Sequence, residues 1–311
     1  MTLFGSNPVR MAVALIIAAA AITLFALSFD WTGVAASLER INAPVITAMA
    51  AGIILINWTV RAARWQSCLR IVNSGIGFPA AYLAIALSQG VAMLTPGQAG
   101  EAAKLWVTQN VRNSSLPARS GSFIAERLID LIVVISLTAL ALLISPVVQL
   151  PRWALIIVVL AVLAIVALVA SLRHRLRPML PDWLSGMLTA MVDTLRHPLE
   201  TLLIVGLTVL SWTLAAILLA VALGVVSVSL PVSTLVANTG LTALATILSF
   251  TPGGLGVAEL SATGLLVSQG VPAADAIAVA LISRGFIVLS MALSGGHWLG
   301  YLLMSQKTPH Q

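Results

Sequence analysis

Long apolar runs constrain this chain more than any other feature of its sequence. A helix needs about 20 apolar residues to cross the hydrocarbon core of a bilayer. Six runs have that length, at about 11–29, 41–60, 120–145, 153–172, 200–223 and 274–303. Only 8% of the residues are charged, whereas a soluble domain carries about a quarter. The sequence therefore predicts an all-α polytopic membrane protein.

The composition and the scattered polar residues exclude other classes of protein. The strands of a transmembrane β-barrel are shorter than these runs and alternate apolar with polar residues. The long apolar runs therefore exclude a β-barrel. The net charge of +6 fits cytoplasmic loops rich in basic residues better than nucleic-acid binding, because no contiguous basic patch with aromatic partners is present. Cys68, which we place in a cytoplasmic loop, is the only cysteine, and no His pair has metal-ligand spacing. We therefore expect no cofactor, no metal and no nucleic-acid partner.

Two further apolar stretches, about 78–94 and 232–250, each run into a proline-glycine break. Within hydrocarbon, such a break persists only where protein or a water-filled cavity satisfies the freed backbone groups. The breaks alone fit two kinked helices as well as two re-entrant hairpins. The break residues are Thr95, Pro96, Gly97 and Gly100 in TPGQAG, and Thr251, Pro252, Gly253, Gly254 and Gly256 in TPGGLG.

The distribution of basic residues favours the hairpins. If both stretches enter and leave the membrane on one side, most of the 16 Lys and Arg residues lie on the side of the N-terminus. Only Arg40 and Arg152 then lie on the other side. A full crossing by the first stretch would move the basic residues of 104–119 outside and weaken the asymmetry. The positive-inside rule thus predicts six spanning helices plus two re-entrant broken hairpins, with both termini cytoplasmic.

Landmarks of the first half recur in the second half at offsets of 154 to 157 residues. We expect a single transmembrane domain over 1–311, with repeat 1 at about 41–145, repeat 2 at about 200–303 and a linker at 146–199. In the topology above the two units have opposite senses, which makes an inverted-topology repeat. Secondary transporters are commonly built this way, with the substrate site where the broken elements meet. The matched landmarks are Trp58-Thr59 with Trp212-Thr213, Pro96 with Pro252, Pro117 with Pro272, and Arg127 with Arg284.

Ionisable residues lie within the predicted spans and just after the breaks. Such residues are costly in a membrane and usually mark ligand or ion pathways. The alternatives are that Arg127 snorkels to the cytoplasmic surface and that the two carboxylates after the breaks cap the helices that follow. The residues concerned are Glu126, Arg127 and Asp130 in one span, Arg284 in the last span, and Glu101 and Glu259 after the breaks.

Two features together indicate an anionic ligand between the hairpins. Glycine breaks expose helix N-termini, whose free N–H groups favour anions. A buried arginine grips phosphate oxygens in two places, so we expect Arg127 and Arg284 to hold a phosphate there. The acidic residues Glu101, Glu126, Asp130 and Glu259 are expected to tune this site. For Glu101 and Glu259 three roles stay open: binding a cation, binding an amino group, or taking up a proton.

Four motifs together resemble the lysylphosphatidylglycerol synthase transmembrane family, also described as flippase-like. They are RAARWQSCLR, TPGQAGEAAKL, ERLID and TPGGLGVAE, and their order spans essentially the whole chain. The resemblance implies a lipid-translocating membrane domain and adds Arg64 to the candidate site residues. In full-length synthases a cytosolic aminoacyl-transfer domain follows, whereas this chain stops at Gln311. We therefore expect a stand-alone membrane domain that is not an enzyme.

These inferences predict a flippase that moves an anionic lipid or lipid-linked carrier between leaflets by alternating access. Its partners would be membrane lipids and an enzyme that makes the lipid, and its location a bacterial-type inner membrane. Two alternatives stay open: a transporter of a small soluble anion, and a polytopic lipid-modifying enzyme such as a polyprenyl-dependent glycosyltransferase. The latter needs an acidic or histidine cluster at a membrane face, where the outer loop offers only Asp30 and Glu39.

Overall fold

The computed structural model describes residues 42–72, 75–95, 98–108, 115–145, 180–249 and 251–305, together with Thr32, Val147 and scattered residues between 153 and 171. All the elements of this part are helices. They are α1 (Ala43–Ile71), α2 (Phe78–Met93), a 3-10 turn (Ala99–Ala102), α3 (Ala103–Val107), α4 (Leu116–Ile144), α5 (Asp182–Arg196), α6 (Pro198–Val225), α7 (Val232–Leu248), α8 (Val257–Ser268) and α9 (Ala273–Ser305).

Four helices of the described part, α1, α4, α6 and α9, are long and apolar enough to cross a membrane. They coincide with four of the six predicted spans, so the prediction of an all-helical multi-pass membrane protein is confirmed. The other two predicted spans, 11–29 and 153–172, fall wholly or mostly outside the described residues. The number of six spans therefore stays a prediction.

The first long helix extends well beyond the predicted end of its span. Helix α1 continues to Ile71, so Cys68 is a buried helical residue and does not lie in a cytoplasmic loop. No glycine or proline lies between Gly52 and Gly75. The sequence therefore contains no helix-breaking residue at the point where the charged residues of α1 begin. Arg64 is 1% exposed, because carboxylates of α4 replace the water that would otherwise solvate its charge.

The described helices follow one length pattern twice. Helices α1 to α4 run long, short, short, long, and helices α6 to α9 do the same. The two short helices that end at the breaks, α2 and α7, match the predicted apolar stretches 78–94 and 232–250 closely.

Each of these short helices packs closely against the last long helix of the other unit. The Gly90 N–H of α2 donates to Ser294 Oγ of α9 at 3.1 Å, and a Cβ on Gly90 would lie 2.7 Å from that oxygen. In the same way, a Cβ on Gly240 of α7 would lie 1.8 Å from Thr138 Oγ1 of α4. The two contacts are reciprocal, and both depend on the absence of a side chain on the short helix.

Helices α1 and α6 pack in antiparallel directions. Ser211 Oγ donates to Asn57 Oδ1 at 2.7 Å, and Arg64 Nη1 donates to Thr208 Oγ1 at 3.2 Å. Residue numbers therefore rise along α1 as they fall along α6. Asn57 and Ser211 each directly precede a matched Trp-Thr pair, so equivalent positions of the two units meet at this point.

Gly240→Ala is expected to destabilise the protein by about 1–3 kcal/mol, because the new methyl group overlaps Thr138 Oγ1 and the helices must separate. Thermal unfolding in detergent measures the effect. Gly206→Ala is the matched control, since a Cβ there meets nothing within 4 Å. Adding Thr138→Gly should recover part of the loss. Equal unfolding temperatures for Gly240→Ala and Gly206→Ala would contradict the close contact between α4 and α7.

Candidate functional site

A cavity of about 360 Å³ lies between the two units. Its walls come from α1, α2 and the first break on one side, and from α6 to α9 with the second break on the other. This volume is typical of sites for small molecules and cofactors. Each unit contributes one arginine to the lining, Arg61 from α1 and Arg284 from α9.

Arg284 is held by two groups and keeps one donor unused. Its Nε donates to Glu259 Oε1, and its Nη1 donates to the Gly253 carbonyl oxygen at 3.1 Å. Its Nη2 is buried and has no hydrogen-bond partner within the described residues. Two partners thus hold this arginine in the cavity wall, where its side chain is 18% exposed.

The second break is built on glycines with left-handed backbone. The φ angles of Gly253, Gly254 and Gly256 are +57°, +67° and +80°, values that side chains disfavour. A Cβ on Gly253 would lie 2.6 Å from the Met93 carbonyl oxygen at the end of α2. The second break therefore packs against the end of the helix that leads into the first break.

Residues next to these glycines fix the ends of the second break. The Gly256 N–H donates to Glu259 Oε2 at 2.8 Å, so Glu259 caps helix α8 as well as binding Arg284. Thr251 is buried and its hydroxyl contacts Ser249 Oγ at 3.2 Å, and Pro252 accepts a turn hydrogen bond from the Leu255 N–H. Both interpretations of Glu259, as a helix cap and as a neighbour of the site, are thus compatible.

The first break is closed by Thr95 and Gly100. The Gly100 N–H donates to Thr95 Oγ1 at 2.6 Å, and a Cβ on Gly100 would lie 2.3 Å from the Val91 carbonyl oxygen. Pro96 and Gly97 lie outside the described residues. Glu101 follows this break and lies in the interior of the protein, where it is 1% exposed.

Glu101 is the first of three carboxylates in a buried ion network. Its Oε1 accepts from Arg61 Nη2 at 2.6 Å and lies 3.4 Å from Lys104 Nζ, and its Oε2 accepts from Arg127 Nη1 at 2.7 Å. Burial by itself raises the pKa of this carboxyl, but Arg127, Arg61 and Lys104 outweigh that effect and hold the pKa well below its ordinary value. The surrounding cations therefore favour the ionised form of the Glu101 carboxyl.

Glu126 and Asp130 of α4 complete the network. Glu126 accepts from Arg64 Nη2 at 2.7 Å and from Lys104 Nζ at 2.5 Å. Asp130 contacts guanidinium nitrogens of Arg64 and Arg127, each at 3.1 Å. The four cations exceed the three carboxylates by one, so the network carries a net positive charge.

Arg127 and Arg284 hold corresponding positions with different surroundings. Each binds the carboxylate that follows the break of its own unit, Glu101 or Glu259. Arg127 also contacts Glu126 and Asp130, and it is absent from the cavity lining. Its side chain is 30% exposed. Direct binding of substrate by Arg127 therefore stays a prediction, and the arginine that shares the cavity with Arg284 is Arg61.

The structure thus divides the predicted site residues into two sets. Arg284 and Glu259 line the cavity. The buried network comprises Arg64, Glu101, Glu126, Arg127 and Asp130, joined by Arg61 and Lys104. Arg61 connects the two sets, since it lines the cavity and donates both to Glu101 and to Gln89 Oε1 at 2.8 Å.

Sequence reasoning missed Arg61 and the neutral polar lining of the cavity. Arg61 lies three residues before Arg64 in RAAR, one helical turn away on the same face, which was the available signal. The amides and hydroxyls of the lining stand alone in apolar runs and gave no pattern. No group of three or more His, Cys, Asp or Glu side chains in the described part is arranged to hold a metal ion.

Comparison with known proteins gives one partial relative and one family. The "Glycosyltransferase AglD" of Haloferax volcanii is 29% identical over 136 residues. That match covers 43% of this chain and 21% of the relative, so the chain spans only a minor part of the relative's length. The sequence model of the family described as "Lysylphosphatidylglycerol synthase TM region" matches residues 11–295, nearly the whole chain. This protein is a member of the lysylphosphatidylglycerol synthase TM region family.

Proposed function

We propose that this protein moves an anionic, phosphate-bearing lipid or lipid-linked carrier between the two leaflets of its membrane. The observation that carries the proposal is the cavity between the two units, whose described lining contains one arginine from each, Arg61 and Arg284. An arginine fork matches the oxygens of a phosphate group. The membrane family of the chain is consistent with a lipid-related role.

The lining of the cavity favours a lipid over a small soluble anion. Arg61 and Arg284 place two guanidinium groups in the described lining, and each is paired with one carboxylate, Glu101 or Glu259. Around them lie large apolar side chains, which offer an acyl or prenyl chain a surface that a soluble anion does not need. These apolar residues include Ile54, Met93, Leu218, Leu219, Phe286 and Ile287.

Alternating access is supported by the way the two units contact one another. The repeated length pattern, the reciprocal contacts at Gly90 and Gly240, and the antiparallel pair α1 and α6 are all features of two related units of opposite sense. We include in the proposal six spans, two re-entrant hairpins, cytoplasmic termini and a bacterial-type inner membrane. Rocking of one unit against the other would open the cavity to each leaflet in turn.

A reconstituted assay tests the proposal. Proteoliposomes would contain phosphatidylglycerol labelled with a fluorophore on its acyl chain, and dithionite would quench the label in the outer leaflet. We expect the protein to speed exchange between leaflets well above protein-free liposomes, with little inhibition by millimolar glycerol 3-phosphate. Strong inhibition, together with uptake of glycerol 3-phosphate, would favour the transporter of a soluble anion. If the folded protein showed neither lipid exchange nor uptake of glycerol 3-phosphate, both forms of transport would be contradicted.

A lipid-linked glycosyltransferase is the second candidate, because of the partial match to the Haloferax volcanii protein. The only carboxylate in the described cavity lining is Glu259, which already binds Arg284 and the Gly256 N–H. Incorporation of radiolabelled sugar into lipid by purified protein, lost in Glu259→Gln, would favour this candidate over transport.

A further inference from the structure

The buried ion network contains one more cation than carboxylate, and one of its cations differs from the others. We propose that Lys104 is a proton-binding site that couples transport to a proton: it holds the proton while an anion lies in the cavity and releases it when the cavity is empty. This inference rests on the proposed function, because it specifies what accompanies the transported anion. It is carried by the charge balance of the network and by the surroundings of the Lys104 side chain.

Lys104 is the cation of this network that can lose its charge. Only two of the 16 basic residues of the chain are lysines, Lys104 and Lys307. The other cations of the network are Arg61, Arg64 and Arg127. A guanidinium stays protonated in proteins, whereas a buried ammonium gives up its proton more readily. With Lys104 as a neutral amine, the arginines and carboxylates of the network balance, which avoids an uncompensated buried charge.

The surroundings of Lys104 suit both forms of its side chain. Its Nζ atom lies 4.5 Å from the centre of the Trp65 ring and 4.9 Å from that of the Phe123 ring. It also lies 2.5 Å from Glu126 Oε2 and 3.4 Å from Glu101 Oε1. Complete burial lowers the pKa of this ammonium, and the two carboxylates offset that effect only in part. The ring faces attract the ammonium, and the same apolar rings accommodate an uncharged amine.

The other ionisable groups around Lys104 already have partners. Helix α2 contributes no charged residue, and its Tyr82 hydroxyl lies 3.4 Å from His297 Nε2. Arg119 Nη1 donates to the Thr108 carbonyl oxygen at 3.0 Å, and each carboxylate of the network contacts at least two cations. The ionisable groups near Lys104 on α1, the 3-10 turn and α4 are Arg61, Arg64, Cys68, Glu101, Arg119, Glu126, Arg127 and Asp130.

Glu101 connects Lys104 to the cavity. Its Oε1 lies 3.4 Å from Lys104 Nζ and accepts from Arg61 Nη2 at 2.6 Å, and Arg61 lines the cavity. An anion beside Arg61 balances the excess cation, because opposite charges attract strongly in a poorly solvated site. When the anion leaves, the ammonium becomes an amine and its proton passes to water at the edge of the network, where the Asp130 and Arg127 side chains are 17% and 30% exposed. Anion and proton therefore bind and leave together.

Selective labelling of lysine tests the proton site directly. In Lys307→Arg protein Lys104 is the only lysine, so a single labelled Cε signal reports its charge in NMR spectra of the protein in detergent. We expect the ammonium to become an amine at a lower pH than in a lysine amide in the same buffer. Dioleoyl phosphatidylglycerol should raise that pH, whereas dioleoylglycerol, which has no charge, should not. An ammonium signal that persists as long as that of the lysine amide, or that ignores phosphatidylglycerol, would overturn the inference.

A pH gradient across proteoliposomes tests the coupling. The assay uses the labelled phosphatidylglycerol of the exchange experiment, with the membrane potential clamped by potassium and valinomycin. A gradient of about one pH unit should enrich the lipid up to about tenfold in the leaflet that faces the alkaline side, since each anion moves with one proton. Lys104→Met keeps the network balanced without a titratable group, so it should stay folded and exchange lipid without enrichment. Lys307→Arg should behave as wild type.

The outcomes separate this inference from the proposed function. Exchange without enrichment by the wild-type protein, or equal enrichment by wild type and Lys104→Met, would overturn the coupling and leave lipid transport in place. Folded wild-type protein that exchanges no lipid would overturn the proposed function, and the coupling with it.

Discussion

Glu126→Ala is expected to lower the stability of the protein by about 3–5 kcal/mol, the effect of removing one partner from a buried ion pair. Glu126 is fully buried and binds Arg64, Lys104 and Arg127. Its loss leaves Lys104 and Arg64, which are themselves buried, with too few carboxylates around them. Thermal unfolding in detergent should show a fall of roughly 5–10 °C in Tm.

The matched control for this change is Glu200→Ala, an exposed carboxylate in the first turn of α6. Its effect should stay within about 0.5 kcal/mol. Glu126→Gln/Lys104→Met should recover part of the loss, because it removes a cation together with the anion. Indistinguishable unfolding of Glu126→Ala and Glu200→Ala would show that the network does not stabilise the fold.

The network has a positional role as well as an energetic one. Glu101 binds both Arg61 and Arg127, so the carboxylate delivered by the first break fixes an arginine of the cavity wall. The second unit lacks the two arginines of α1. Arg61 and Arg64 correspond to Ala215 and Leu218 at the offset of the matched Trp-Thr pairs. The charges of the ion network thus lie on the side of the first unit, and Arg284 is the arginine that the second unit contributes to the cavity.

The apolar runs of the sequence, together with its proline and glycine residues, predict most of the helices. The bounds of α4, α6 and α9 fall within a few residues of the predicted spans, because apolar length determines which segments can cross a membrane. Proline and glycine likewise predict where α2 and α7 end. Local sequence contains both signals, since neither depends on which helices become neighbours.

The site was less predictable because its properties are tertiary. The predicted span of α1 ended where charges begin, yet Arg64 is buried because Glu126 and Asp130 come from a helix far away in sequence. The repeat matches Arg127 with Arg284, and in the structure each of them binds the carboxylate that follows the break of its own unit. The spacing of three residues between Arg127 and Asp130 predicts their ion pair, but nothing in the local sequence shows that Arg61 lines the cavity instead of Arg127.

Arg284→Ala is expected to reduce retention and transport of anionic lipid at least about 30-fold, the scale of losing a buried charged contact. The substitution removes the buried Nη2 donor and one of the two positive charges in the cavity, and it leaves the Glu259 carboxylate to repel a phosphate. Native mass spectrometry measures retained lipid, and the proteoliposome assay measures exchange between leaflets.

Two further variants separate the shape of the guanidinium from its charge. Arg284→Lys keeps the charge but cannot bind Glu259, the Gly253 carbonyl and a phosphate oxygen at once, so it should restore only a small part of the activity. Arg70→Ala removes an exposed arginine of the last turn of α1 and should behave as wild type. Full activity of Arg284→Lys would mean that net charge alone matters, and near-normal activity of Arg284→Ala would place the binding site outside this cavity.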